Sequence, residues 1–564
     1  MYGSVTPKSF YPKKNRTGTM KVSKRKTIHL IVFFLLIVFS ALIIGASQSS
    51  IYSSISKNLT LLGQIYKEVS INYVDKIDTE EFLKAGVNGM LSTLDPYTTY
   101  IEPQDRTQID IITHGKYGGI GVTLTNRNNQ TTVEEPPFLG TPAARAGIRE
   151  GDIIIKVDDS FTRDLSFDET ARRIRGPSGT EVTLTIQREG EEKHLIFKLI
   201  REVIKIEDVR YADLIGDQIG YILLSAFSDK AYSELRETLL DIQARGAKGI
   251  ILDLRSNPGG LLEAAVQVSD LFLPKNSVIV STRGRASGTD RTFKAAQEPI
   301  IDLPLAVLVN RISASASEIV AGAIQDNDIG IVLGDTTFGK GLVQTVIPLS
   351  SSLLKLTTAK YYTPSGRSIQ RSHYSMWQDT TEQGGSVFHT LSGRTVIGGG
   401  GIVPDIAIEQ PRINGLVVDL RRKSMFFNFS VQYTANHPRP EKPDFEISRF
   451  ILEDFRKYLK DKNYEYHHPF ERDLDGMINE ARTYGYGEAI LQDIDRLSQS
   501  FSQVKEKMFA DQSPQIKQLL RRELATKYFG VKEGIELDLK DDPVVRKALE
   551  VLENPQAYHA MLKK

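Results

Sequence analysis

The 564-residue chain contains no cysteine. That absence excludes disulfides, zinc–thiolate sites and thiol nucleophiles, and it leaves the redox compartment open. Net charge is nearly absent as well, because 71 lysine and arginine residues balance 70 acidic ones. Nucleic-acid-binding proteins usually carry a clear basic excess, so composition gives no support to that class of partner. The length alone suggests several domains.

One stretch near the N-terminus lacks charge altogether. Residues 30–46 follow a segment rich in lysine and arginine. If these residues form a helix that begins at residue 28, the length of the helix approaches the thickness of a hydrocarbon core, about 30 Å. A cleaved signal peptide is the alternative, although its apolar part is normally shorter. We expect a basic cytoplasmic tail over 1–27, a transmembrane signal anchor over 28–46, and the following residues outside the cytoplasm.

The rest of the chain changes character three times. Residues 51–108 repeat apolar positions at helical spacing, and residues 112–203 are short β-rich runs separated by Gly, Pro and Asn. Residues 204–410 alternate apolar strands with helical segments, and residues 411–564 are charged and helical. This order predicts a multidomain α/β and α+β protein: a mixed α/β core, a β-rich insert, and helical regions at both ends.

Residues 334–344, "GDTTFGKGLVQ", resemble a nucleotide-binding P-loop but fail its two requirements. A P-loop needs Ser or Thr after its lysine and a helix whose amides cradle the phosphate. Here Gly341 follows Lys340, and the β-branched run "LVQTVIPL" predicts a strand. We therefore look for another role for Lys340.

Ser315 lies where an apolar strand gives way to a helix. Ser315 and Glu318 fit the S-x-x-E capping box, so a purely structural role is one interpretation. The alternative is a nucleophile, because a helix N-terminus offers amides and a positive dipole to an oxyanion. None of the nine histidines lies between residues 205 and 372, so the motif-rich region contains no histidine base.

Lys340 is the candidate base. A lysine surrounded by glycines and apolar side chains is desolvated, which lowers its pKa and lets the neutral amine accept a proton. Gln344, four residues on, could orient that amine. The alternative for Lys340 is a solvated turn residue. The turn "NPGG", residues 257–260, adds glycine amides that could serve as an oxyanion donor, or it is an ordinary strand-to-helix turn.

Four motifs together, "SASASEIVAGAIQD", "GDTTFGKGLVQ", "LDLRSNPGG" and "KLTTAKYYTPSGRSIQ", resemble the C-terminal processing peptidases, which are serine-lysine endoproteases. The resemblance runs in order from about residue 61 to residue 408. It implies a nucleophile, a base and an assisting glutamine, with an oxyanion hole at the amide after the nucleophile and at one glycine of the turn. The residues implied are Ser315, Lys340, Gln344, Ala316, and Gly259 or Gly260.

The β-rich insert adds a second resemblance. "YGGIGVTL", residues 117–124, is similar to the carboxylate-binding loop of a PDZ domain. The amides of this loop would hold a C-terminal carboxylate while the peptide adds as a β-strand. Arg175 approximately matches an arginine that senses the bound carboxylate in some family members; surface charge is the alternative. The predicted substrate-binding residues are Gly118, Gly119, Ile120, Gly121 and Arg175.

These observations predict a bacterial envelope endopeptidase, anchored in the inner membrane with its catalytic domains in the periplasm. It would recognise apolar C-termini of protein substrates, without metal or cofactor, and its other expected partners are an activator or adaptor protein and further copies of itself. One rival is a catalytically silent PDZ-type scaffold. Another is a histidine-based esterase, which would need His373 or His389 in the site.

Overall fold

The computed structural model describes residues 52–563, apart from 128, 139, 189–190, 217, 372–384, 409–413 and 444. The predicted basic tail and signal anchor, residues 1–27 and 28–46, lie outside this range. Among the described helices, none combines the length and the apolar character needed to cross a membrane. The predicted division into a mixed α/β core, a β-rich insert and helical ends is confirmed.

The first described residues, up to Met90, form a compact unit of their own. A helix over residues 52–72 packs on the helix Thr79–Leu91. Stacked rings of Tyr66 and Phe82, with centroids 5.6 Å apart, join the two helices. Beyond this unit, the short strand Thr99–Ile101 and the helix Arg106–His114 lead into the β-rich insert.

The β-rich insert is built around five antiparallel strands and one groove-forming helix, Phe167–Ile174. Alternating positions of its strands bury Ile154, Leu184 and Ile186 completely, as expected for a sheet with one apolar face. The sheet strands, in spatial order, are Leu124–Arg127, Gln130–Val133, Ile153–Val157, Glu181–Gln187 and Leu195–Ile200, with Ser160–Phe161 beside Ile153–Val157. The strands Lys116–Gly119 and Glu202–Lys205 pair at its entrance and exit, and the short helix Pro142–Ala146 completes it.

A six-stranded sheet forms the centre of the α/β core. Its first two strands are antiparallel, and all later pairs are parallel. In spatial order the strands are Val209–Ile215, Ile219–Leu224, Gly249–Asp253, Leu305–Val309, Ile331–Gly334 and Ile406–Ala407. The helices Ala231–Ala244, Leu262–Asp270 and Ala316–Asp326 cover one face, where Leu252 and Val307 are buried.

A second sheet stands beside the core. The predicted strand "LVQTVIPL", Leu342–Leu349, is confirmed and pairs with the long strand Ser352–Tyr362. The other edge of that long strand pairs with Thr99–Ile101 and with Val278–Arg283, which in turn pairs with Arg291–Lys294. A small hairpin, Val387–His389 with Thr395–Ile397, follows.

The C-terminal region is helical, as predicted, but its last helices also complete the α/β core. Val544, Val545 and Ala548 pack with Ile251 and Leu308 on the face of the central sheet opposite the first helix layer. The other helices build a separate aromatic-rich core. The helices are Gly415–Arg422, Met425–Asn436, Arg449–Asp461, Pro469–Thr483, Glu488–Asp511, Ser513–Phe529, Val531–Asp541, Pro543–Leu552 and Pro555–Leu562.

Candidate active site

Three loops meet at the carboxyl ends of neighbouring parallel strands. The turn of residues 257–260 follows Gly249–Asp253, the turn of residues 310–315 follows Leu305–Val309, and the loop of residues 335–341 follows Ile331–Gly334. Ligand sites of open parallel sheets form at this edge. The structure therefore brings the "NPGG", "SASAS" and "FGKG" motifs to one place.

Ser315 occupies a sharp turn at the start of the helix Ala316–Asp326. Its backbone has φ +56° and ψ −110°, a conformation that residues other than glycine rarely adopt. Such strain costs on the order of 1–3 kcal/mol and is typical of functional sites. The surrounding turn is fixed by buried hydroxyls, since Ser313 Oγ donates to the Leu254 carbonyl at 2.8 Å and Ser317 Oγ to the Asn257 carbonyl at 2.9 Å.

Glu318 joins the serine turn to the lysine loop. Its side chain is fully buried, and each carboxyl oxygen accepts two hydrogen bonds. Oε2 accepts from the backbone N–H of Ser315 at 2.8 Å and of Lys340 at 2.9 Å. Oε1 accepts from the Thr337 hydroxyl at 2.6 Å and the Gly339 N–H at 2.7 Å. One carboxyl group thereby sets the spacing between Ser315 and Lys340.

The surroundings of Lys340 disfavour a positive charge on its amine. Burial, supported by the nearby positive charge of Lys355, lowers the pKa of Lys340 to about 8, although Glu318 and Asp95 act in the opposite direction. Within the described residues, Lys340 Nζ makes no hydrogen bond or ion pair. A substantial fraction of this amine is therefore neutral in mildly alkaline solution and able to accept a proton.

The glycine turn lies directly against the serine turn. A Cβ atom at Gly259, whose φ is +99°, would come within 2.6 Å of the Ala314 carbonyl oxygen. The Gly259 N–H donates to Asn257 Oδ1 at 2.9 Å. By contrast, the N–H groups of Gly260 and Ala316 donate no hydrogen bond to any described residue. Of the two glycines left open by the sequence, Gly260 therefore has the amide available to an oxyanion.

Gln344 lies in the strand that follows the lysine loop, at a bulge after Val343. Its amide NH₂ donates to Thr357 Oγ1 at 3.4 Å, the outer limit for a hydrogen bond. In the described part of the chain no hydrogen bond joins it to Lys340. The assisting role of Gln344 stays a prediction.

A charged cluster supports the strand end before the glycine turn. Arg255 Nε contacts both carboxylate oxygens of Asp253, at 3.0 and 2.9 Å, and Arg255 Nη1 reaches Asp542 Oδ2 at 2.6 Å. The Tyr221 hydroxyl also donates to Asp253, at 2.6 Å. Asp542 caps the helix Pro543–Leu552, so the C-terminal helices are tied to the base of the site.

The β-rich insert contains a groove of about 710 Å³ between its first loop and the helix Phe167–Ile174. Its lining mixes polar and apolar side chains, and apolar side chains stand on both of its sides, which suits an extended peptide with some apolar side chains. The apolar lining includes Ile120, Val122, Leu124, Ala171 and Ile174, and Tyr117 and Arg175 also line the groove.

The predicted carboxylate loop divides into two parts. Gly118 and Gly119 belong to a strand and pair with Val203 and Glu202. Ile120 and Gly121 lie beyond that strand, and Ile120 lines the groove. The Arg175 guanidinium is 5.5 Å from the Tyr117 ring centroid, within range of a cation–π contact.

His389 lies in the hairpin strand Val387–His389, opposite Thr395, and its side chain is exposed. No described contact joins it to Ser315. His373, the other histidine considered as a base, is outside the described residues. The histidine-based alternative thus receives no geometric support from His389.

Sequence reasoning treated Glu318 only as a helix-capping residue. Its second function, joining the serine turn to the lysine loop, depends on hydrogen-bond donors in residues 337–340. No local spacing rule connects these donors to a helix N-terminus. The side chain of Asn257 was also overlooked as the acceptor for Gly259 N–H. The Asx-turn tendency of asparagine is the one signal that could have indicated it.

Four family models match successive parts of the chain. Residues 218–375 match the Peptidase family S41 model, and residues 139–188 match the PDZ domain model. Residues 416–552 match the "Probable PDZ-protease, C-terminal helical domain" model, and residues 43–105 match the "Activating protease CtpB N-terminal domain" model.

Curated relatives extend over most of the chain. A carboxy-terminal-processing protease of Bartonella bacilliformis is 40% identical over 394 residues, which are 68% of this chain and 83% of the relative. A carboxyl-terminal-processing protease of Synechocystis sp. is 35% identical over 407 residues, covering 68% of this chain and 87% of that protein. Among solved structures, the photosystem II D1 C-terminal processing protease is 26% identical, with a TM-score of 0.35 and coverage of 61% and 86%.

Proposed function

We propose that Ser315 is the nucleophile and Lys340 the general base of an acyl-enzyme mechanism. The premise is that the chain belongs to the carboxyl-terminal-processing protease family and is a serine-type peptidase. The observation that supports this most directly is the shared acceptor, Glu318 Oε2. It receives the backbone N–H of both residues, at 2.8 and 2.9 Å, and so keeps the two turns adjacent.

In the first step, Ser315 Oγ attacks the carbonyl carbon of the scissile peptide bond while Lys340 Nζ takes the hydroxyl proton. A carbon–oxygen bond forms, and the carbonyl electron pair moves onto oxygen. The amides of Ala316 and Gly260 are the donors for this oxyanion, because neither has another acceptor among the described residues. Gly259 serves as the close-packed neighbour that leaves room for Ser315.

In the second step, the Lys340 ammonium returns its proton to the leaving amine as the carbon–nitrogen bond breaks. The new C-terminus remains as an ester on Ser315. Water then attacks the ester with Lys340 again as base. The bond between the acyl carbon and Ser315 Oγ breaks as the Lys340 ammonium returns the proton to Oγ, and the acid product leaves. We assign Gln344 a supporting role in orienting the base through the strand that follows it.

Substrate recognition is assigned to the PDZ groove. We propose that an unstructured C-terminal tail adds as a β-strand beside residues 120–124, with its carboxylate on the amides of Ile120 and Gly121. The apolar lining would accept an apolar terminal side chain. Arg175 also lines the groove, and we propose that its guanidinium meets the bound carboxylate. Gly118 and Gly119 hold the start of the loop by pairing with Val203 and Glu202.

We further propose that the enzyme works in the bacterial envelope, outside the cytoplasm. The support is the apolar stretch 28–46 preceded by clustered lysine and arginine. Protein substrates with exposed apolar C-termini are the partners that this function requires.

The test uses the full-length chain and an unfolded protein that ends in apolar residues. Ser315→Ala and Lys340→Ala should each reduce cleavage by at least roughly 1,000-fold, while Lys294→Ala, an exposed strand residue, should cleave normally. Mass spectrometry identifies the products, and circular dichroism checks folding. If wild type and variants all bind the tail and none cleaves it, the scaffold function replaces this one.

The pH profile adds a second check. Lys340 must be neutral to accept a proton, and its pKa is lowered to about 8. Activity should therefore rise as the pH increases toward about 8 and level off above it. A rate that stays constant between pH 6 and 9, with chemistry rate-limiting, would contradict a lysine base.

A further inference from the structure

The turn that precedes the strand Thr99–Ile101 is fixed by its own carboxylate. Asp95 Oδ1 accepts from the backbone N–H of Tyr97 and of Thr98, each at 2.8 Å. Asp95 Oδ2 accepts from the Thr98 hydroxyl at 2.9 Å. The conformation of this "DPYT" turn is therefore set locally, and with it the direction in which the Tyr97 side chain leaves the backbone.

The same turn is attached to the sheet beside the active site. Thr98 is buried, and its Oγ1 accepts from the Thr357 N–H at 3.2 Å. Thr357 Oγ1 also receives the Gln344 amide at 3.4 Å. Next to these contacts, Thr99 pairs with Lys355. Gln344 and the turn thus share one anchoring residue, Thr357.

The Tyr97 ring lies against the candidate base. Lys340 Nζ is 4.7 Å from the centroid of the ring, within the range of a cation–π interaction. No described hydrogen-bond acceptor reaches Nζ, so the aromatic face is the defined contact of the amine. Because the turn is held by Asp95 and Thr357, the ring is a fixed surface.

We infer that Tyr97 is a positioning residue of the catalytic mechanism, an inference that rests on the proposed role of Lys340. The ring face of Tyr97 holds the Lys340 amine toward Ser315. It also stabilises the ammonium that forms when Lys340 takes the serine proton. The attraction comes from the negative face of the aromatic ring and is greater for ammonium than for neutral amine. The hydroxyl group is not needed for this role.

Charged groups near Lys340 also shift its pKa and therefore affect the expected pH dependence of activity. Lys355, on the strand Ser352–Tyr362, disfavours the ammonium form, and Glu318 and Asp95 favour it. Burial disfavours it most strongly. Replacing Tyr97 by leucine keeps an apolar side chain there but removes the aromatic face. The ammonium then loses stabilisation, so the acid limb of the activity profile should move to lower pH.

The experiment compares Tyr97→Leu and Tyr97→Phe with Tyr100→Leu, a tyrosine on the adjoining strand, in the full-length chain. kcat and KM are measured from pH 6 to 10 on an unfolded substrate with an apolar C-terminus. Tyr97→Leu should lower the plateau kcat by roughly 5- to 30-fold and shift the acid limb by roughly half a pH unit or more, with KM changed less than about twofold. Tyr97→Phe and Tyr100→Leu should retain the wild-type profile.

A third variant guards against misfolding of Tyr97→Leu. A phenylalanine with three ring fluorines at position 97 keeps the ring shape but cancels most of its negative face, and it should reproduce the shift. The inference is overturned if the fluorinated ring gives the wild-type profile, or if Tyr97→Phe loses as much activity as Tyr97→Leu. Full activity of Lys340→Ala would instead overturn the proposed base itself.

Discussion

Two buried glutamates hold this molecule together in different ways. Glu318, in the candidate active site, is fully buried, and its four hydrogen-bond donors are three backbone N–H groups and one hydroxyl. Glu150, in the PDZ domain, is also largely buried, but its described partner is a single cation, Lys527 of the C-terminal helical domain. The first carboxyl group fixes backbone geometry; the second joins two domains.

Because of this difference, the contact of Glu150 should respond to pH more than the contacts of Glu318. Burial raises the pKa of Glu150 to about 7, even though Lys527 opposes the rise. Burial also raises the pKa of Glu318, but the hydrogen bonds donated to both of its oxygens act against it. Four donors suit an ionised carboxylate, which accepts at both oxygens. A single ion pair leaves Glu150 able to change charge under ordinary conditions.

The PDZ contact has an aromatic centre. Phe427 of the C-terminal helical domain receives the Arg127 guanidinium at 3.8 Å and Lys527 Nζ at 4.2 Å from its ring centroid. Beside it, Gly151 packs so closely on Val431 that a Cβ atom would lie 2.9 Å from a valine methyl group. The C-terminal helices therefore hold the PDZ domain through a small set of specific contacts.

Of the two glutamate contacts, substitution of Glu318 should have the larger effect on stability and turnover. In Glu318→Gln, an NH₂ group replaces one oxygen and faces two N–H or O–H donors, which leaves those donors unsatisfied. We expect stability to fall by about 2–5 kcal/mol and turnover to fall by roughly 100-fold, because small displacements of catalytic groups are costly. Urea unfolding and kcat measure the two effects.

The matched control is Glu263→Gln, an exposed glutamate on the helix Leu262–Asp270. It should change stability by less than about 0.5 kcal/mol. Wild-type turnover in Glu318→Gln would show that Ser315 and Lys340 are held in place without this carboxyl group.

A smaller effect is expected at Lys527. Lys527→Met keeps an apolar stem near Phe427 but removes the cation that faces Glu150. At pH 8 the loss should be about 1–3 kcal/mol, and at pH 6 it should be smaller, because Glu150 then carries a proton. Thermal unfolding at the two pH values measures this difference. Lys547→Met, which removes an exposed pair with Glu550, is the control and should behave alike at both.

The smallest expected effect is the change of folding stability with pH that Glu150 should cause. The folded-state pKa of Glu150 is raised from 4.5 to about 7, so in this window the folded chain binds a proton that the unfolded chain releases. Stability should therefore fall as pH rises from about 5 to 7, by about 1–3 kcal/mol, and be unaffected by this group at higher pH. Glu150→Gln should flatten that slope; an unchanged slope would assign the titration to other groups.

The fold was predictable where the signal is local. Strand–helix alternation indicated the α/β core because periodicity and turn residues act over a few positions. The turns of the candidate site also carry local signals, the small residues before Ser315 and the glycines of residues 257–260. Their meeting at one place follows from the way parallel strands end at one edge of a sheet.

What remained hidden depends on contacts between distant parts of the chain. Helical spacing shows that residues 543–562 have an apolar face but does not identify the surface which that face covers. The pair of Arg255 with Asp542 joins residues 287 positions apart. Lys527 and Glu150 are likewise separated by 377 positions. Charge and hydrophobicity identify such residues as candidates, and tertiary packing alone selects the pairs.

The helix Pro555–Leu562 completes the central sheet region from the last part of the chain to be synthesised. Tyr558 is buried, and its hydroxyl accepts the Leu305 N–H at 2.9 Å and donates to the Ile329 carbonyl at 3.1 Å. One face of the central sheet thus stays bare until residues 544–558 have left the ribosome. At 5–20 residues per second, this takes roughly 10–45 s after residue 331 is made. A nascent chain would carry all the proposed catalytic residues well before the α/β core around them is complete.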